Sequence, residues 1–127
     1  MEQQKVKFTW KEYDEAIDKM VSEFRRHDFS CNCIYGLPRG GLTIAVSLSH
    51  RLGLPLVTEV RKTDYPLIVD DISDSGETLK TFTKMMSKNK QGYRVFTIHY
   101  ADGTCFDPEY YVHNNKGKWI VYPWEVE

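Results

Sequence analysis

One stretch limits the architecture more than any other: Leu67-Ile68-Val69-Asp70-Asp71-Ile72-Ser73-Asp74-Ser75-Gly76-Glu77-Thr78. It opens as a buried strand, ends in two adjacent carboxylates, and turns through small residues into the start of a helix. A strand that leads straight into a helix needs neighbours of the same kind to cover it, so the rest of the chain should alternate strands with helices.

The spacing supplies that alternation. Trp10, Tyr13, Ile17, Met20, Val21 and Phe24 recur at three- and four-residue steps, predicting a helix over Thr9 to Phe24. Thr9 followed by Glu12 has capping-box spacing, which makes Thr9 the N-cap. A short strand is expected over Asn32 to Tyr35, ending at Gly36. A second helix reads from Leu42 to Leu52, with Ile44, Leu48 and Leu52 on one stripe and Gly53 as its stop. Pro55 to Arg61 and Pro66 to Asp71 read as two strands separated by Lys62-Thr63-Asp64. A third helix spans Glu77 to Asn89, with Leu79, Phe82, Met85 and Met86 facing the core. Tyr93 to Tyr100 is another strand, and Tyr110 to His113 and Trp119 to Tyr122 are weaker ones. The expected fold class is α/β, with a mainly parallel central sheet flanked by helices in one domain spanning 1–127.

Composition narrows the function classes. The chain has 127 residues, 41% hydrophobic and 28% charged, with a formal net charge of −1. That is a globular profile with enough length for a core that needs no metal or disulfide staple. A charge near zero gives no electrostatic reason to expect nucleic acid or an anionic membrane as partner. No apolar run approaches the roughly 20 residues that cross a bilayer, and Met1-Glu2-Gln3-Gln4-Lys5 does not begin a signal peptide, so a cytoplasmic location is expected. Cys31, Cys33 and Cys105 are odd in number and form no disulfide framework. Cys31-Asn32-Cys33-Ile34 alternates like a half-buried strand, with no second pair at zinc spacing. His27, His50, His99 and His113 are scattered without metal spacing.

In open α/β sheets ligands bind where strand ends meet helix N-termini. Two junctions qualify. At Leu37-Pro38-Arg39-Gly40-Gly41 two glycines let the backbone approach a ligand and Arg39 adds a positive charge, a combination suited to pyrophosphate; an ordinary turn has the same composition. At the second junction, Asp74-Ser75-Gly76-Glu77-Thr78 offers backbone N–H groups, hydroxyls and a helix N-terminus to a terminal phosphate. Asp70 and Asp71 offer acceptors to a ribose diol or a hydrated Mg²⁺. The stretch is neither a Walker loop nor a dinucleotide fingerprint. An acidic N-cap and a receiver-type aspartate cluster are the structural alternatives.

Leu67 to Thr78 resembles the 5-phosphoribosyl-1-diphosphate (PRPP) motif of type I phosphoribosyltransferases, and Pro38-Arg39-Gly40-Gly41 resembles that family's pyrophosphate loop. Arg51-Leu52-Gly53 and Trp119-Ile120-x-x-Pro123-Trp124-Glu125 are similar to the bacterial xanthine-guanine branch. The resemblance runs from about Thr9 to Glu125 and implies a small C-terminal hood over about 101–127. It implies Asp74 as general base near purine N7, and Asp70 and Asp71 on the ribose hydroxyls and, through water, Mg²⁺. It implies Ser75, Gly76, Glu77 and Thr78 on the 5′-phosphate, and Pro38, Arg39, Gly40 and Gly41 on pyrophosphate, with a cis Pro38–Arg39 peptide. Trp119 would stack on the base, the Ile120 backbone would read it, and Glu125 would sit by a second metal. Trp119 also fits a plain aromatic core position.

The resemblance also exposes two departures. Relatives carry a long closing loop where this chain has a turn at Arg61 to Asp64, and a purine-contacting Lys where it has Tyr100-Ala101-Asp102. No Lys or Arg lies between Arg94 and Lys116, leaving His99 or a backbone group as substitutes. The expected function is Mg²⁺-dependent transfer of phosphoribose from PRPP to N9 of a 6-oxopurine, in a homodimer or homotetramer. The alternative is a PRPP- or nucleotide-binding sensor of the same fold. A phosphohydrolase is disfavoured because no Asp-x-Asp nucleophile pair is present.

Overall fold

The computed structural model describes residues 3–125. β1 (Lys5–Lys7) is followed by α1 (Trp10–His27), β2 (Cys33–Gly36), α2 (Gly40–Leu52), β3 (Pro66–Ser73), α3 (Glu77–Lys88), β4 (Arg94–Tyr100), β5 (Tyr110–Asn114) and β6 (Trp119–Val121). β2, β3, β4 and β5 form a sheet in that order, every pair parallel. β1 and β6 pair, also parallel, in a separate two-stranded sheet. The expected α/β class and parallel sheet are therefore present.

Local chemistry explains the elements. Thr9 caps α1 through the expected capping box: its hydroxyl accepts from Glu12 N–H at 3.1 Å, and the Glu12 carboxylate accepts from Thr9 N–H at 3.0 Å. Gly53 closes α2 at φ +70°, the left-handed region. Leu67, Val69, Phe96 and Ile98 face α1 and α2, whose Met20, Val21, Ile44 and Leu48 complete the larger core. The intervening Ile68 and Val95 face the other way, into a smaller core closed by Leu37, Leu79 and Met86. The period of two along the strands thus sends alternate residues to helices on opposite faces. Cys31 and Cys33 are buried within this packing and all three thiols are free; burial pushes the Cys31 thiol up to about 12.

Three expectations need correcting. Pro55 to Arg61 is not a strand. Residues 53–65 hold only a bridge from Leu56 to Ile34, made by Ile34 N–H to Pro55 O and Val57 N–H to Ile34 O, each 2.9 Å. That bridge uses the edge of β2 away from β3. The remaining segment then crosses to β3, with Val60 packed on the smaller core and Gln91 Nε2 donating to the carbonyls of Arg61 and Asp64. No hairpin joins two strands here. Met85 is 62% exposed, and Thr83 takes the inward place, its hydroxyl donating to Leu79 O at 2.8 Å. α2 begins at Gly40, two residues earlier than expected.

The excursion through Leu56 has a topological consequence. From β2 the chain moves to one side of the sheet, returns, and continues through β3 on the other side. The point of reversal lies between β2 and β3, and open α/β sheets bind ligands at the strand ends bordering such a point. Phe96 is fully buried in the larger core. Phe96→Ala should lower the free energy of unfolding by about 3–5 kcal/mol in urea titrations; a loss under about 1 kcal/mol would contradict this placement of the core.

Candidate active site

The C-terminal ends of β2 and β3 lie side by side, so the two junctions read from the sequence meet. β2 ends at Gly36, and Arg39 and Gly40 start α2 beside the acidic pair of β3. A Cβ on Gly40 would collide with the Asp71 carboxylate, and one on Gly41 with the carbonyl of Val69. Only glycine lets the first turn of α2 sit this close to β3. The Pro38–Arg39 peptide is cis. No side chain caps α2, although Gly41 N–H and Leu42 N–H are already taken by Leu37 O and Arg39 O. Arg39 and Gly40 line an open cavity of about 620 Å³ together with Asp71, Trp124 and Glu125.

β3 carries its acids into a half-buried position. Asp70 Oδ1 accepts from Asp71 N–H at 2.9 Å, and Asp71 Oδ1 accepts from Ile72 N–H at 2.7 Å. Burial and then the adjacent Asp71 carboxylate push Asp70 up to about 8; burial likewise raises Asp71. The two adjacent groups resist carrying two negative charges at once.

Beyond the acids, β3 ends at Ser73 and the chain turns through Asp74 and Ser75 into Gly76, which is buried at φ +86°. The backbone N–H groups of Cys105 and Phe106 crowd the place where a Cβ on Gly76 would sit, and Cys105 N–H donates to Ser75 O at 2.8 Å. The loop is thus fixed from beneath while Asp74, Ser75, Glu77 and Thr78 stay exposed above. α3 starts here with no side-chain cap; the Ser75 hydroxyl accepts only a long 3.3 Å bond from Glu77 N–H. Its positive end faces a cleft of about 80 Å³ lined by Asp70, Asp74, Ser75, Gly76 and Thr78.

The C-terminal segment supplies the remaining wall. Trp119 is 52% exposed on β6. It lines a pocket of about 190 Å³ with Ile120, Asp74 and Asp71, and with Glu125 at its border with the Arg39 cavity. Tyr122 holds the wall in place: its hydroxyl donates to the Asp71 carbonyl at 3.1 Å and lies 2.8 Å from His99 Nδ1. With its single hydrogen directed to Asp71, Tyr122 must accept from His99, which fixes the Nδ1–H tautomer. Burial lowers His99 to about 4, so the ring is neutral. Glu125 Oε1 accepts from Tyr122 N–H at 2.8 Å.

Every site residue expected from the sequence therefore borders one crevice, except Pro38 and Gly41, which shape the first turn of α2 from behind, and Glu77, which starts α3 and lines none of the three cavities. The sequence reading missed Gln3, Asn115, Lys118 and Tyr122, which line the Trp119 pocket. Each reaches it through tertiary pairing that no local spacing announces.

No protein-family model matches the chain. A solved structure of a purine phosphoribosyltransferase from Pyrococcus horikoshii is similar to it at 32% identity, over 97% of this chain and 95% of that one, with a TM-score of 0.85. The chain belongs to the type I phosphoribosyltransferases. The fold is shared with the Helicobacter pylori xanthine-guanine-hypoxanthine phosphoribosyltransferase, at 16% identity over 97% and 95% of the two chains and a TM-score of 0.85. It is also shared with a hypothetical protein from Neisseria gonorrhoeae with bound ppGpp, at 20% identity, 99% and 92% coverage and a TM-score of 0.80. Such coverage on both sides means that no long inserted loop separates this phosphoribosyltransferase from the Pyrococcus protein.

Two outcomes follow from this geometry. Tyr122→Phe leaves His99 N–H and the Asp71 carbonyl without their shared partner and should cost about 1–3 kcal/mol of stability in urea unfolding; no change would mean the bonds are dispensable. The second concerns pH. A carboxyl whose folded pKa lies above its ordinary 3.8 keeps a proton that the unfolded chain releases, so stability falls as pH rises, levelling above about 8. His99, with its lowered pKa of about 4, acts oppositely, and its contribution is complete above about 6.5. Ligand-free protein should therefore show a lower urea midpoint at pH 8 than at pH 6.5, and Asp70→Asn should flatten that difference. A wild-type midpoint that rises over this interval would contradict the protonated pair.

Proposed function

We propose that this phosphoribosyltransferase moves the 5-phosphoribosyl group of PRPP to N9 of a 6-oxopurine, releasing pyrophosphate and a nucleoside 5′-monophosphate. The carrying observation is the packing of Gly40 on the Asp71 carboxylate, which joins a cationic loop to an acidic pair at the centre of one crevice. PRPP needs that arrangement. Its ribose sits in the middle, with the 5′-phosphate on one side and, from C1′, the diphosphate and the incoming base on the others.

Each wall then has a task. The α3 N-terminus, with Ser75, Gly76, Glu77 and Thr78, holds the 5′-phosphate through backbone N–H groups and hydroxyls. Asp70 and Asp71 accept from the ribose hydroxyls. Arg39 and the loop Pro38-Arg39-Gly40-Gly41 take the diphosphate charge as the C1′–O bond breaks. Trp119 stacks on the base, the Ile120 backbone fixes its edge, and Asp74 takes the purine proton at N7. Within the C-terminal segment, the described residues beyond β5, with β6, act as the hood over the base.

The acidic pair also fits Mg²⁺. Two hard-oxygen ligands that resist double ionisation gain from a divalent cation, and Mg²⁺ is commonly held by one or two carboxylates together with substrate phosphates. Among the described residues no three His, Cys, Asp or Glu side chains form a ready-made cage, so Asp70 and Asp71 would share the ion with PRPP, with Glu125 nearby at the cavity border. Bound there, Mg²⁺ supplies neutralising charge for the departing diphosphate.

A second reading has its own support. None of residues 53–65 lines the three cavities of the crevice, and the connection is held by Gln91 and the smaller core. Within one subunit C1′ stays open to water, which suits a PRPP- or nucleotide-binding sensor, and a neighbour of this fold carries ppGpp. As an enzyme, the protein would cover its site as a homodimer or homotetramer, and we place it in the cytoplasm.

The deciding experiment incubates the protein with PRPP, Mg²⁺ and a panel of purine bases. Nucleotide and pyrophosphate should appear in equal amounts, and Asp74→Asn should lower kcat about 10²- to 10⁴-fold while PRPP affinity persists. Tight PRPP or nucleotide binding without product from any base would establish the sensor instead.

A further inference from the structure

The pocket beside Trp119 is bordered by a cationic residue from an unexpected part of the chain. Its charged lining residues are Asp71, Asp74, Glu125 and Lys118. Arg39 borders the neighbouring cavity, and His99, the substitute that the sequence suggested, is 4% exposed with its Nδ1 engaged by Tyr122. Among the described residues that line the pocket holding the exposed indole, Lys118 alone is cationic.

Its backbone is fixed where it stands. Lys118 N–H donates to Asn115 O at 3.0 Å, and Asn115 Nδ2 returns a bond to Lys118 O at 3.2 Å. Asn115 is itself buried, and the next residue, Trp119, donates its N–H to Gln4 O at 2.8 Å. The turn before β6 and the pairing of β6 with β1 therefore hold Lys118 and Trp119 together at one pocket rim. No described residue forms a hydrogen bond or ion pair with the Lys118 ammonium, which sits on a flexible four-carbon stem able to swing over the pocket.

Resting on the proposed transfer to a purine, we infer that Lys118 is the specificity-determining residue for the base and selects purines that carry a 6-oxo group. An ammonium has three donors and no acceptor. It pairs with a carbonyl oxygen but not with an exocyclic amine, which also presents N–H. With N7 turned to Asp74, the 6-position lies on that same side of the ring, at the pocket that Asp74 and Lys118 both line. Hypoxanthine and guanine then satisfy the ammonium, whereas adenine leaves it desolvated without a partner.

The test compares hypoxanthine with adenine in the wild type, Lys118→Met and Lys118→Arg. Lys118→Met should raise KM for hypoxanthine about 10- to 100-fold, the loss of one charge-assisted bond, with kcat and the KM for PRPP little changed. The KM for adenine should stay level or fall, and Lys118→Arg should recover much of the hypoxanthine affinity. Unchanged hypoxanthine kinetics in Lys118→Met, or an equal loss for both bases, would overturn the assignment. If the wild type transfers to no base, the proposed reaction fails, and the assignment is then read from calorimetric binding of inosine and adenosine 5′-monophosphates. A selective loss of inosine monophosphate in Lys118→Met supports it; equal affinities in wild type and variant overturn it.

Discussion

Asp71 is the residue on which the separate walls of the crevice converge. Its carboxylate abuts Gly40 at the start of α2, its carbonyl accepts from Tyr122, and its N–H binds Asp70. Two chain segments far from Asp71 in sequence are thereby set relative to one atom cluster at the end of β3. Neither the cationic loop nor the C-terminal wall is wide enough to define a site alone. Their common contact with Asp71 turns two helix starts and a small second sheet into one ligand-sized space.

That convergence has an electrostatic cost. Asp70 and Asp71 are drawn into a half-buried position beside each other, where burial and mutual repulsion favour a retained proton. Nearby, Gly40 and Gly76 stand where any side chain would meet backbone or carboxylate. In the proposed reading these are positions where local stability is given up for ligand contact. The supporting shell is complete by contrast: among the described residues no buried side-chain nitrogen or oxygen lacks a hydrogen-bond partner, and the neutral His99–Tyr122 pair adds no buried charge next to the acids.

Much of this was legible in the sequence because it depends on local chemistry. The capping box at Thr9, the stop at Gly53 and the strand–loop–helix run through Asp70 to Thr78 each act within a few residues. The readings that failed depended on distant neighbours. Pro55 to Arg61 has strand-like side chains but reaches only Ile34, so its backbone forms one bridge and no ladder. Thr83 looks polar, yet its hydroxyl returns to the Leu79 carbonyl and the residue packs inward in place of Met85. β1 alternates polar and apolar residues over too short a run to announce a strand, and among the described residues its only strand partner is β6. Lys118 borders the pocket through that same pairing, so no local spacing marks it as part of the site.

The proposed function requires one crevice, centred on Asp71, to hold a phosphorylated ribose between the α3 N-terminus and Trp119. The most direct test is a crystal structure with a purine nucleoside 5′-monophosphate. The phosphate is expected on the backbone N–H groups around Ser75, Gly76 and Thr78, the ribose hydroxyls on Asp70 and Asp71, and the base against the Trp119 ring. Nucleotide bound elsewhere, with the loop at Gly76 empty and Trp119 uncovered, would contradict it.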